Sequence, residues 1–470
     1  MSDMQSMDRE NKKRQLRQNI VQMPANDPEE PEDDERLVKY KRKKRFAAIA
    51  AVCFLAALGF TGYRYMNEYE YTGYSVQWER SMRYTDDAGK AAKDAQTSDT
   101  ESTASADETG AADETAAETS ASTEEETAAS MEASKTVSDS GFVNFVMFGD
   151  NMLKYTKDGA SYIDASGKTI WTQSYEMKTP IVNVNGDYVV IADQQGNEMY
   201  ICNKEGCTGT AKTQLPITKA AVSARGVAAA VVEDSTASYI FYFKKDGESL
   251  GINIKMLLSG DGYPVDIALS PDGKQIVMSV MYMKNGALKN KVAFYDFSEI
   301  GKNVNNRFIG AFEEEFDDKM VGRVRYLNDQ TVCAFSDKGL TFISVKNVIP
   351  DTNVTFVPVE EEIESICYSD KYAAVIVDST SGSTYRMDVY STDGKKVTSI
   401  DFDYSYSGAL IDGDRLILYN EESCRVYNLD GNEKFNGQFD FSVSLVRAGK
   451  NKTNSLITAG SEVMKEIRLK

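Results

Sequence analysis

PIVNVNGDYVVIADQQGNEMYICNKEGCTGTAKTQLP, residues 180–216, divides into four short runs separated by tight-turn signals at NG, QGN and KEG. Runs of four to eight residues rich in Val, Ile and Tyr and bounded by Gly and Asn read as strands, and tight turns between them make an antiparallel unit. The same four-part unit precedes it as NFVMFGD, NMLKYTKDG, ASYIDASG and KTIWTQSYEM at 144–177, and it recurs to residues 405–440. Units begin near Asn144, Pro180, Thr218, Tyr263, Gly322, Ile363, Tyr404 and Phe441. Their period of about forty-one residues is that of the four-stranded blades of a β-propeller. The expected fold class is therefore all-β, an eight-bladed β-propeller over residues 142–470. Seven blades are the alternative, because the fourth unit is stretched by KNGALKN and by the 300–320 connection, and the last is short.

The eighth unit supplies only three strands, SVSLVRAGKN, SLITAGSE and VMKEIRLK, before Lys470. A closed propeller protects its edges by completing the last blade with a strand from the other end of the chain. Residues 71–84, YTGYSVQWERSMRY, have the composition and near period-two pattern of a strand. The spacing predicts that residues 71–80 form the outer strand of the last blade. Between this strand and the propeller lies a stretch, 86–140, of almost nothing but Ala, Ser, Thr, Asp and Glu. It carries fifteen acidic residues against Lys90, Lys93 and Lys135. Such a segment buries too little apolar surface to offset its ordering entropy and is expected to be a disordered spacer.

Upstream, FAAIAAVCFLAALGFTGYRY at 46–65 is uncharged until Arg64. Eighteen residues rise about 27 Å as a helix, the thickness of a bilayer core. KYKRKKR at 39–45 precedes it, and Tyr63, Tyr65 and Tyr69 follow at an interfacial position. The positive-inside rule leaves residues 1–45, an expected disordered tail, in the cytoplasm and the large domain outside. A cleaved signal peptide is disfavoured by the long leader and by the missing small-x-small site. If 71–80 closes the last blade, only a few residues separate membrane from propeller.

The formal net charge is −19, most of it in the spacer, and no clustered basic face points to nucleic acid. Histidine is absent from the chain. That removes Ser-His-Asp and Cys-His nucleophile systems and the imidazole ligands of most catalytic zinc sites. Of six cysteines, Cys53 lies in the apolar run, and the remaining five are an odd number for a disulfide framework. Cys202 and Cys207 flank the turn NKEG and are placed to be cross-strand neighbours, but the unpaired state is favoured.

The acidic turns ADQQGNE at 192–198, STDGKK at 391–396 and IDGDR at 411–415 lack the ligand series of a calcium loop and read as structural turns. The runs EEEFDD at 313–318 and VEEEIE at 359–364 supply the paired carboxylates a glycoside hydrolase needs, yet nothing in sequence makes them converge. The twenty-six tyrosines read as strand packing, and Trp171 as packing between blades. No residue is assigned a catalytic, cofactor-binding or metal-ligating role.

DNMLKYTKDGASYIDASGKTIWTQSYEM, PIVNVNGDYVVIADQQGNEMYI and GYPVDIALSPDGKQIVMS together resemble a domain-of-unknown-function family of membrane-anchored, propeller-like proteins of Gram-positive bacteria. The resemblance covers most of 142–470 and implies the architecture without an activity. More distantly, SPDGKQIVMSV is similar to TolB-like and WD40-like blades, and GKTIW to quinoprotein blades. The expected function is a membrane-anchored extracytoplasmic scaffold that binds a protein or cell-wall partner without catalysis. The alternative is an extracytoplasmic enzyme or carbohydrate sensor using carboxylates.

Overall fold

In several blades the second strand is a continuous buried run. Tyr188–Asp193, Ala228–Glu233, Tyr372–Asp378 and Ser455–Ala459 carry solid apolar runs such as VVIA and AAAVV whose residues are nearly all buried. A strand covered on both faces has no solvent side, so its sequence is continuous and does not alternate. Fourth strands such as Ser249–Leu257 and Lys396–Phe402 alternate exposed with covered residues, as strands with one wet face do.

The computed structural model describes residues 32–82, 142–346, 350, 353–380, 382–451 and 453–470. Its strands form eight four-stranded antiparallel sheets, so the seven-bladed alternative falls away. Blades 1 to 7 run in chain order over 143–174, 180–212, 217–257, 263–312, 321–358, 363–402 and 408–438. First strands of successive blades adjoin and encircle the centre, with blade 8 meeting blade 1.

Blade 8 has the order Tyr74–Ser81, Val463–Leu469, Ser455–Ala459, Leu445–Ala448 from the rim inward. Tyr74 pairs with Leu469 and Ser81 with Val463, with one irregularity at Gln77. Thr72 N donates to Lys470 O at 2.9 Å and Met82 N to Glu462 O at 2.7 Å, extending the seam at both ends, while Tyr71 N donates to Lys434 O of blade 7 at 2.8 Å.

A recurring device joins the blades: the turn between third and fourth strands rests on the fourth strand of the preceding blade. In blades 1, 3, 6 and 7 that turn carries Gly167, Gly247, Gly394 and Gly431, at φ 76, 84, 79 and 85°. A Cβ on Gly247 would lie 2.2 Å from Thr210 O of blade 2, and one on Gly167 2.8 Å from Trp78. The repeated DG and SG signals are thus required twice, by the left-handed backbone and by the close approach. Tyr74–Ser81 receives blade 1 as the fourth strands of blades 2, 5 and 6 receive their neighbours: Trp78 packs there, and Arg80 Nε donates to Ser166 O at 2.9 Å. In blade 4 the stretch KNGALKN is a long hairpin, Gln275–Lys284 with Ala287–Asp296, turned at Asn285 and Gly286 with φ 54 and 79°. Those angles suit a two-residue type I′ turn.

Residues of the N-terminal unit, Met1–Tyr69, contain one described helix, α1, Glu32–Glu68. It starts well before the apolar run, so 32–45, read from sequence as disordered tail, is helical. The opening EDDE is the reason: negative charge at a helix N-terminus is favoured by the macrodipole. Within α1, Tyr40–Tyr65 is long and apolar enough to cross a membrane. The expected disorder of 1–31 and of 86–140 falls outside the described residues.

Cys202 and Cys207 are joined by a disulfide between the third and fourth strands of blade 2, which corrects the unpaired reading. The strand register sets them opposite each other. The other thiols of the propeller, Cys333, Cys367 and Cys424, are buried singly in blades 5, 6 and 7, so their odd number says nothing about this pair.

Candidate functional site: the centre and the two faces

The innermost strands are pinned by side chains that cross between blades. Asn183, Asp266 and Asp412, on the first strands of blades 2, 4 and 7, accept the backbone N–H of Val222, Val324 and Ala448 in the next blade at 3.0, 2.9 and 2.9 Å. Arg325 returns the contact to Asp266 at 2.8 Å and donates to Tyr368 Oη of blade 6 at 2.8 Å. Burial pulls the Arg325 guanidinium down, but Asp266 and Tyr368 outweigh it and raise its pKa. Arg447 lies 3.5 Å from Asp412 and donates to Gly149 O and Asn151 O of blade 1 at 3.1 and 2.6 Å. The signal was an Asx in each apolar first strand, in PIVNVN, YPVDIAL and GALID; the first two carried no reading in the sequence, and Asp412 was read as a turn residue.

The acidic turns are structural. Asp193 accepts from Lys178 N and Thr179 N at 3.0 and 2.9 Å, Asp393 pairs with Lys395 at 2.5 Å, and Asp412 is the pin just described. The two carboxylate runs do not come together. Glu361 pairs with Arg386 at 2.9 Å, beside Asp388, which also meets Lys396 at 3.1 Å. Burial pushes the Asp388 carboxyl up, but Ser399, Lys396 and Arg386 together hold it below the usual range. In the other run Asp317 pairs with Lys289 at 2.8 Å, and hydrogen bonds from Lys338 and Lys319 hold Asp318 down to about 2. A general acid needs the opposite displacement. Glu313, Glu314, Glu315 and Asp317 line an open cleft of about 590 Å³ with Lys284 and Ala311. Among the described residues no three carboxylates or thiols are gathered to hold a metal ion. Trp171 donates from Nε1 to Asn203 O of blade 2 at 3.1 Å and packs between the blades.

Strand direction assigns every connection to a face. Turns between first and second and between third and fourth strands lie on one face; turns between second and third strands and the blade-to-blade links lie on the other. On the first face acidic and basic residues alternate, as in Asp164 with Lys168, Lys204 with Glu205, Asp272 with Lys274 and Asp370 with Lys371. The second face is dominated by one sign. Its connections hold Asp158, Glu176, Asp234, Asp261, the run at 313–318, Asp337, the glutamates at 360–362, Asp403, Glu421, Glu422, Asp440 and Glu462. Against these stand Lys157, Lys178, Lys319 and Lys338. Met82 and Phe142, which bracket the acidic stretch of sequence, also belong to this second face, whereas Tyr74 enters the propeller on the balanced one.

Residues 122–469 match a family described as a family of unknown function, DUF5711. The chain belongs to the DUF5711 family. No curated protein matches it by sequence. Among solved structures, BamB from Moraxella catarrhalis is similar at 12% identity and TM-score 0.41, covering 69% of this DUF5711 chain and 96% of its own. The Dos1 propeller is 11% identical at TM-score 0.47, covering 70% and 92%. Sqt1 from Chaetomium thermophilum is 10% identical at TM-score 0.46, covering 70% and 97%. What this DUF5711 chain has in common with them is the fold.

Proposed function

We propose that this protein is a single-pass membrane protein whose propeller lies outside the cell membrane and binds a positively charged protein or cell-envelope partner, acting by binding and not by turnover. The observation that carries the reading is the division of charge between the faces. A one-sign surface on a rigid disc attracts an opposite charge over distances of the order of the Debye length, and it selects against other acidic surfaces. The chain enters on the balanced face, which leaves the acidic face for the partner.

The apolar stretch of α1, exposed all round, supports the anchor, and the basic run at 39–45 supports a cytoplasmic N-terminus. The Cys202–Cys207 disulfide supports an oxidising, extracytoplasmic setting.

The test is mild cross-linking of the full chain in membranes, followed by capture at low and at raised salt. Recovery of a basic partner is expected at low salt, falling steeply by 0.5 M salt as screening grows. Triple reversal of Glu313, Glu314 and Glu315 to Lys should abolish capture. Recovery of the protein alone at low salt, or a partner indifferent to the reversal, overturns the reading.

A further inference from the structure

Blade 4 meets the preceding blade without the glycine turn seen in blades 1, 3, 6 and 7. In blade 4 the link between third and fourth strands is the eleven-residue segment 297–307, which lies over Ser249–Leu257, the outer strand of blade 3. Where blades 1, 3, 6 and 7 place a left-handed glycine, this one places Asn306 and Arg307 at φ 51 and 59°. Two adjacent non-glycine residues there are strained, and strain of this kind persists where a particular side-chain position is held by its surroundings. The segment and the strand enclose a cleft of about 530 Å³.

Arg307 reaches into this cleft, with its guanidinium 5.5 Å from the centre of the Phe297 ring. The ring is itself held 3.8 Å from that of Tyr242. The Nη1 of Arg307 is buried and has no hydrogen-bond partner, and neither does the fully buried Tyr242 hydroxyl on the other side of Phe297. A guanidinium with one buried nitrogen lacking an acceptor is poorly compensated, and an anion in the cleft that Arg307 lines offsets that charge. Lys255 and Lys302 line the same cleft, and Ile254, Leu257 and Val304 give it an apolar wall. One carboxylate, Asp261, also lines the cleft and accepts from Leu257 N at 2.8 Å, and Glu299 pairs with Lys302.

We propose that the cleft between blades 3 and 4 is a binding site for a phosphate group carried on a molecule with an apolar portion. Arg307 is the anchoring cation, and Lys255 and Lys302 flank it. Arg307 and Lys255, with Lys302 shared with Glu299, supply more positive charge than a single carboxylate would call for and suit a phosphate group. The phosphate is either free in solution or part of a lipid headgroup. The cleft shares no lining residue with the carboxylate run at 313–317 on which the first reading is tested, so the two readings stand or fall separately.

Inorganic phosphate titrated calorimetrically into the full chain in neutral phosphatidylcholine nanodiscs should bind saturably at one site. Arg307→Gln should weaken binding at least tenfold, and Arg307→Lys, which keeps the charge but loses the planar fork, should weaken it to a lesser degree. Lys255→Gln with Lys302→Gln alters exposed side chains, leaves the fold intact and should weaken binding severalfold, which keeps the test sound if Arg307→Gln fails to fold. Repeating the titration in phosphatidylglycerol nanodiscs separates the sources. A weaker apparent affinity there identifies a lipid headgroup as competitor, and an unchanged one identifies a soluble phosphate ligand. Unsaturable binding, equal binding of acetate, or indifference to both the Arg307 and the double lysine substitutions overturns the proposal.

Discussion

Asp266 joins two demands at one carboxylate: it takes the Val324 N–H and faces Arg325 in the centre of the propeller. Asp266→Ala strands a largely buried guanidinium and should cost about 3–5 kcal/mol, read as a lowered urea midpoint. Asp266→Asn keeps an acceptor for Val324 and should cost less. Asp388 has a different signature because its carboxyl is held below the ordinary range in the fold. A group whose folded pKa is depressed contributes fully above its unfolded value of about 3.9 and loses that contribution as the pH falls through the folded value. The stability gap between the wild type and Asp388→Asn should therefore be widest near neutrality and close below about pH 4, as urea midpoints across that range will show. The disulfide makes a counting prediction: without reductant the unfolded chain should label at Cys53, Cys333, Cys367 and Cys424 only, and at all six cysteines after reduction.

The strand Tyr74–Ser81 is the element on which ring closure depends. Trp78 packs between blades 8 and 1 and donates from Nε1 to Glu466 at 2.7 Å. Trp78→Ala should cost about 2–3 kcal/mol, less than a wholly buried site because the side chain is partly exposed. Gly167→Ala would place a methyl against Trp78 and Arg80 on a left-handed backbone, and it too should lower the urea midpoint. The two substitutions share a contact, so the double variant should be more stable than the sum of the singles implies, which a double-mutant cycle measures. The sequence showed this strand through its Tyr, Val and Trp pattern and the shortage of strands in the last repeat. The turn glycines were legible as turn formers only. Their second role, admitting the outer strand of the preceding blade, depends on a neighbour some forty residues away in sequence.

At the scale of the molecule, the propeller residues Glu70–Lys470 form a unit of their own. A chain beginning at Glu70 should retain the β-sheet circular dichroism and thermal transition of the full protein, while losing sedimentation with membranes. Charge is distributed at this scale as well. Spread along the sequence, the acids of the folded part look unremarkable and the spacer dominates the net charge of −19. Strand alternation then sorts them, sending second-to-third turns and blade links to one face.

The repeat period, the apolar span and the missing eighth-blade strand were determined by the sequence itself, because each is a pattern in composition that local physics reads directly. The disulfide, the Asx pins between first strands, the acidic face and the cleft around Arg307 were decided by tertiary structure. Each brings together residues whose separation in the chain is set by sheet register and blade stacking, and a single unaligned sequence carries no local signal for either.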